Sequence, residues 1–168
     1  MSFRESAWRA VGCHAFAWTF HNWYGMRRAI LRAFGAKLTP TSKQRPSCII
    51  THPWNLTMGI ESAIGDGAYI DCSEAVSIGD YCTVSQYSKV MTTLEAGPAG
   101  VWRGPVRIEA DGWVAADAMV FPGVTVGEGA ILGSRATARA NLVPWTIYGG
   151  EPLKALGSRP RFAGMPPE

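Results

Sequence analysis

The sequence predicts an all-β solenoid built from hexapeptide repeats, closed at its N-terminal end by helix and interrupted by one long loop. Three observations carry this expectation: an aliphatic residue every six positions, a second series of small residues in step with it, and an aromatic, arginine-bearing segment ahead of both. The aliphatic series runs Met58, Ile64, Ile70, slips by two residues, and continues at Ile78, Val84 and Val90. It resumes at Ile108, Val114, Val120, Val126 and Leu132, and Ala138 closes it. Four residues after the repeat starts stand Ser62, Ala68, Cys82, Ser88, Gly112, Ala118, Val124, Ala130 and Ala136. A period of six fits neither an amphipathic helix nor a simple meander. It suits a triangular coil in which three hexads each supply one short strand and one corner, so that these repeats make about four coils. Glycine follows the aliphatic residue at Gly59, Gly65, Gly79, Gly127 and Gly133, a placement that suggests backbone angles other residues resist.

Taken in chain order, residues 1–45 read as a helical N-terminal cap. Trp8, Phe16, Trp18, Phe20 and Trp23 are interleaved with Arg27, Arg28 and Arg32, and Ala29–Phe34 followed by Gly35 is a helix with a glycine stop. Such a segment covers the open end of a solenoid, whose strand edges are otherwise unpaired. The same residues suit contact with a membrane surface. Residues 46–157 form the solenoid, with residues 91–105 extruded from it, and 158–168 form a C-terminal tail. Loops longer than ~12 residues within a compact domain are usually functional or disordered.

Composition narrows the alternatives. At 168 residues the chain is one domain, and 17% charged residues with 19 glycines and 11 prolines make it turn-rich without being polar. A net charge of +3, spread along the chain, indicates no nucleic-acid module. The longest apolar stretch, Ala10–Phe20, is broken by His14 and Thr19, too short for a membrane span and without a signal-peptide cleavage site. Cys13, Cys48, Cys72 and Cys82 form no CxxC pair, so a cytoplasmic location with free thiols is expected. A zinc site of three histidines between coils is excluded, because no histidine follows His52.

Several segments resemble a known family. His21-Asn-Trp-Tyr-Gly-Met-Arg-Arg-Ala-Ile-Leu-Arg-Ala-Phe-Gly-Ala36, Pro53-Trp-Asn-Leu56, Ile78-Gly-Asp80, Ser85-Gln86, Trp113, Pro122-Gly-Val-Thr-Val-Gly127 and Gly150-Glu-Pro-Leu-Lys154 are similar to the left-handed β-helix acyltransferases. Within these they are closest to the colanic-acid-biosynthesis-type O-acetyltransferases. The resemblance covers about residues 15–157. It implies a left-handed parallel β-helix, a homotrimer, acetyl-CoA as acyl donor in a cleft between subunits, and a sugar or glycan hydroxyl as acceptor, with no metal.

The resemblance also implies site residues. Family members use a histidine in the extruded loop as general base, but no histidine of this chain lies there. Counting forward from Val90 puts Glu95 in that place. Reference pKa values of ~4.3 for Glu and ~6.5 for His make the carboxylate the weaker base near neutrality. Ala115, Ala116, Gly133, Ser134 and Ala136 are expected along the pantetheine arm, and Arg139 and Lys154 at the CoA phosphates. Glu151 adds a negative charge beside them. The alternative is a homotrimer that has lost catalysis and serves as a scaffold or binding protein.

Overall fold

The computed structural model describes residues 3–95 and 97–161. Short parallel strands wind into a left-handed β-helix of about six turns, with three faces. The first face stacks Lys37–Leu38, Leu56–Met58, Val76–Ile78, Val106–Ile108 and Thr125–Val126. The second runs from Lys43–Gln44 to Thr146–Gly149, and the third from Ile49–Ile50 to Thr137–Ala138. In every strand register the hexad residues lie opposite one another: Met58 with Ile78, Ile64 with Val84, Ile70 with Val90. All are buried, as are the small residues of the second series.

Two features differ from the expectation. The stack is longer than four coils and begins at Lys37, inside the segment assigned to the cap, because a full coil precedes Met58. Its inward residues are Leu38, Gln44 and Ile50, and Gln44 breaks the aliphatic signal. The buried Gln44 amide donates to Ser42 Oγ and to Met58 Sδ. The hexad glycines also do a different job. None of the five has a positive φ; a Cβ on Gly65 would stand 2.6 Å from the Gln86 nitrogen, and one on Gly127 2.6 Å from the Leu142 oxygen. They are glycine because strands ~4.8 Å apart leave no room for a side chain against the next coil. The left-handed angles fall instead on corner residues, among them Tyr81, Tyr87, Asp111, Asp117, Arg135 and Trp145. Each of these donates its N–H to the corner carbonyl one coil back, as Asp117 does to Gln86 and Arg135 to Ala116.

The cap works through individual hydrogen bonds. In later coils the carbonyl of the inward residue accepts an N–H from the coil before it, as Met58 O does from Thr39. The first coil has no predecessor. Arg32 Nη2 donates to Leu38 O at 2.7 Å, Arg27 Nε to Gln44 O at 2.6 Å, and Trp8 Nε1 to Ile50 O at 2.9 Å. One side chain thus serves each face, and Arg28 covers Ser42 O. Arg27 is fully buried, and its remaining donors reach Thr19 Oγ1, Phe20 O and His21 O. The helix that carries it, Tyr24–Ala33, ends in a Schellman motif: Gly35, at φ 98°, donates to Arg32 O, and Ala36 to Leu31 O. Ahead of it, helical turns Phe3–Ala7, Trp8–Gly12 (a π-turn) and Cys13–Ala17 lay Trp8 and Phe16 on the core.

At the other end, Lys154–Ser158 folds back antiparallel on Thr146–Gly149 and covers the last edge of the second face. It crosses the expected 157/158 boundary, and residues 162–168 of the expected tail lie outside the described residues.

Two substitutions test this account by thermal and urea unfolding. Gly65→Ala forces backbone apart and should cost ~1–3 kcal/mol. Arg27→Met strands the buried Gln44 carbonyl and two partly buried ones and should cost more, ~3–5 kcal/mol, with the helical signal lost first.

Candidate functional site

The extruded segment carries a hairpin. Thr93–Glu95 pairs antiparallel with Val101–Arg103 around a short turn at Gly97–Ala99. The hairpin leaves the corner between the third and first faces, where the chain passes from Val90 to Val106. Glu95 lies opposite Val101, exposed, beside a shallow cleft of about 230 Å³ that it shares with Thr93, Leu94, Val101 and Arg103. Trp102 rests on Phe121, ring centroids 5.7 Å apart, so the outgoing strand touches the solenoid wall.

What fixes the hairpin at its root is Asp71, which the sequence reading did not single out. Its Oδ2 accepts from the Thr92 and Thr93 amides at 3.1 and 2.8 Å and from their hydroxyls at 2.9 and 2.7 Å. Its Oδ1 accepts from the Ser73 amide and hydroxyl at 3.1 and 2.6 Å and from Thr51 Oγ1 at 3.3 Å. Burial pushes this carboxyl upward, but the donors from Ser73, Thr93 and Thr92 outweigh it and hold Asp71 well below the usual carboxylate range. A signal was present: Asp71 follows the inward Ile70, with Thr51 at the equivalent place one coil earlier and the Thr92–Thr93 pair one coil later.

The small residues expected on the cofactor wall divide into two groups. Ala116 and Ser134 border one open groove of about 900 Å³, together with Gln86, Tyr87, Lys89 and Arg135. It lies at the corner between the second and third faces. Among the described residues no backbone carbonyl accepts from the Ala116 or Ser134 N–H, because the corner ladder uses those of Asp117 and Arg135. Ala115, Gly133 and Ala136 stand behind them. Their amides are consumed by Leu132 O, Tyr148 O and Gly133 O, and Ala136 is buried in the core. Ala136 therefore cannot line a cleft with its side chain; it fills a tight corner.

The expected phosphate-binding pair is also apart from this groove. Arg139 Nη1 lies 3.2 Å from Glu151 Oε1, and its guanidinium sits 5.2 Å over the Phe121 ring, next to Trp102. Lys154 is exposed on the returning strand. Within one chain, the cleft beside Glu95 and the groove bordered by Ala116 and Ser134 share no lining residue. The hairpin and the groove occupy different corners, with the third face between them. Among the described residues no group of three or more His, Cys, Asp or Glu is arranged to hold a metal ion.

Asp71→Asn should loosen the hairpin while leaving the coils intact. The amide turns a donor toward donors, at a cost of about 3 kcal/mol. Amide exchange at 92–103 and proteolysis of the hairpin should both increase. In the parent, Asp71 is depressed in the folded state, so its contribution is complete above the ordinary carboxylate range. It is lost as pH falls below ~3.9 toward the folded value, so acid should release the hairpin.

Comparison with known proteins completes the description. No protein-family model matches the chain. It is 32% identical over 155 residues, 90% of its length, to the protein assigned in Escherichia coli as a colanic acid biosynthesis acetyltransferase, covering 85% of that relative. It shares its fold with a hexapeptide-repeat acetyltransferase of Vibrio cholerae solved with acetyl-CoA, at a TM-score of 0.82 and 19% identity, over 94% of this chain and 88% of that one. A maltose O-acetyltransferase of Clostridium difficile aligns at 0.81 and 17%, again over 94% and 88%.

Proposed function

Because the chain belongs to the hexapeptide-repeat acyltransferase family, we propose that it is a cytoplasmic, homotrimeric O-acetyltransferase that moves the acetyl group of acetyl-CoA to a sugar hydroxyl in polysaccharide biosynthesis. The observation that carries this reading is the division of the site. Ala116 and Ser134, whose N–H groups meet no backbone carbonyl among the described residues, border one corner groove, and the hairpin with Glu95 projects from another corner. A second copy of the chain supplies the missing half to each.

In this reading the Ala116 and Ser134 N–H groups hold the thin pantetheine arm against the backbone, in a groove kept open by the small side chains there. The Glu95 carboxylate of the neighbouring protomer takes the proton of the acceptor hydroxyl as its oxygen bonds to the acetyl carbon. The carbon–sulfur bond then breaks, and the thiolate recovers the proton from Glu95. Arg139 and Lys154 serve the CoA phosphates, for which Arg139 exchanges Glu151 for a phosphate. Both partners of that pair are more than half exposed, so it is weak and yields readily.

The absence of a loop histidine favours a second reading, a trimeric scaffold or binding protein without catalysis. Calorimetry with acetyl-CoA and thiol release over a panel of sugar acceptors separate the two. Binding without thiol release on any acceptor supports the scaffold; release on one supports the enzyme.

Light scattering should give three times the 18.1 kDa chain mass, and a monomer at micromolar concentration would remove the shared site. Glu95→Gln should lower turnover ~100-fold or more while leaving acetyl-CoA affinity unchanged. Arg139→Glu should weaken CoA more than a pantetheine lacking the phosphates.

A further inference from the structure

The net charge of +3 conceals an asymmetry. Residues 1–38 hold six basic residues (Arg4, Arg9, Arg27, Arg28, Arg32 and Lys37) against Glu5 alone, a net charge of +5. Residues 39–168 hold ten basic and twelve acidic residues, a net charge of −2. Arg27, Arg28 and Arg32 hydrogen-bond to backbone carbonyls, which are neutral and leave their charge uncancelled.

The same segment carries an apolar outer surface that the cap does not require. The faces of Trp8, Phe16 and Leu31 seal the solenoid, but Phe3, Val11, Trp18, Phe20, Trp23 and Met26 point away from it. Trp18 is 89% exposed and Phe20 70%, in a protein whose hexad aliphatics are almost wholly buried. Ala10, Val11, His14, Ala15 and Trp18 border one shallow apolar hollow, and Phe20 packs edge-on against Trp23, centroids 4.9 Å apart. On Tyr24–Ala33 the exposed residues include Met26, Ala29, Arg32 and Ala33, with no acid among them.

We propose that this outer face of the cap docks the protein on an anionic lipid bilayer. Aromatic rings beside the exposed Arg4, Arg9 and Arg32, with the half-buried Glu5 as the sole acid of the segment, match the boundary between acyl chains and negatively charged headgroups. Among the described residues no helix is long and apolar enough to cross a membrane, so the helices lie along the surface. A protein partner or a second copy would equally cover apolar side chains. The net positive charge of this segment, on an otherwise slightly negative chain, favours a uniformly anionic surface instead. The inference does not depend on acyl transfer, since it concerns lipid contact alone.

Co-sedimentation of the full chain with vesicles tests it. The protein should bind phosphatidylcholine vesicles containing a third phosphatidylglycerol, bind phosphatidylcholine alone at least ~10-fold less, and be released by salt. Trp18→Ser with Phe20→Ser should reduce binding ~10-fold or more, with melting temperature, light-scattering mass and thiol release on a soluble acceptor unchanged. Three results would overturn the proposal: no binding to either vesicle, equal binding by parent and variant, or a changed mass in the variant, which would place the face between copies. Because thiol release is read without lipid, loss of vesicle binding leaves the acetyltransferase reading intact, and the converse holds.

Discussion

Every coil of this β-helix is built on the hydrogen-bonding groups of the coil before it, and the spacing this imposes governs most of the sequence. Strands ~4.8 Å apart leave space for a Cβ inside the coil but not between coils where the chain turns. Glycine at 59, 65, 79, 127 and 133, and small residues such as Ala68, Cys82 and Ala130, are consequences of that distance. So is the cap. A ladder of this kind has a first rung with nothing beneath it, and three side chains, Trp8, Arg27 and Arg32, complete it face by face. An apolar plug alone would bury the Leu38, Gln44 and Ile50 carbonyls without partners, at a cost of ~1–3 kcal/mol each.

The repeat was legible because it is a pattern of single residues at fixed intervals, and the inward hexad residues stack in the expected register throughout. The first coil escaped because one of its three inward positions is Gln44, whose Nε2 donates to Ser42 and Met58 while its Oε1 is buried without a partner. The corners escaped for a different reason. Tyr87, Asp117 and Arg135 adopt left-handed backbone angles that their side chains do not announce, because the coil-to-coil hydrogen bond from each N–H stabilises the turn. In the candidate site, the sequence pointed to the extruded hairpin and to Ala116 and Ser134, which border the corner groove. It did not separate side chains that face outward from those that fill the core, as Ala136 does. Asp71 showed only through hydroxyl-bearing residues one coil to either side, because its donors come from three successive coils.

Asp71 and Arg27 solve related problems in opposite ways. Each buried charge is satisfied by polar groups without an opposite charge: a carboxylate by hydroxyls and amides, a guanidinium chiefly by carbonyls. Both stand where the ladder is broken, Arg27 where it begins and Asp71 where the hairpin leaves it. At such breaks the backbone has donors or acceptors to spare, and a charge gathers several of them at once.

The corner residues of successive coils form columns along the long axis, Gly67, Tyr87, Asp117 and Arg135 on one edge and Glu61, Tyr81, Asp111, Gly129 and Trp145 on another. Backbone hydrogen bonds hold the conformation of Tyr81, Tyr87, Asp111, Asp117, Gly129, Arg135 and Trp145, and the Thr41 and Ser47 hydroxyls hold Glu61 and Gly67, so side-chain identity at the non-glycine places depends little on the interior. A lineage can therefore rewrite most of an edge, one residue per turn, while inheriting the interior unchanged, with Gly67 and Gly129 fixed by the rings of Tyr87 and Trp145 stacked on them. New specificity along such an edge arises by substitution at regular intervals rather than by insertion of new loops.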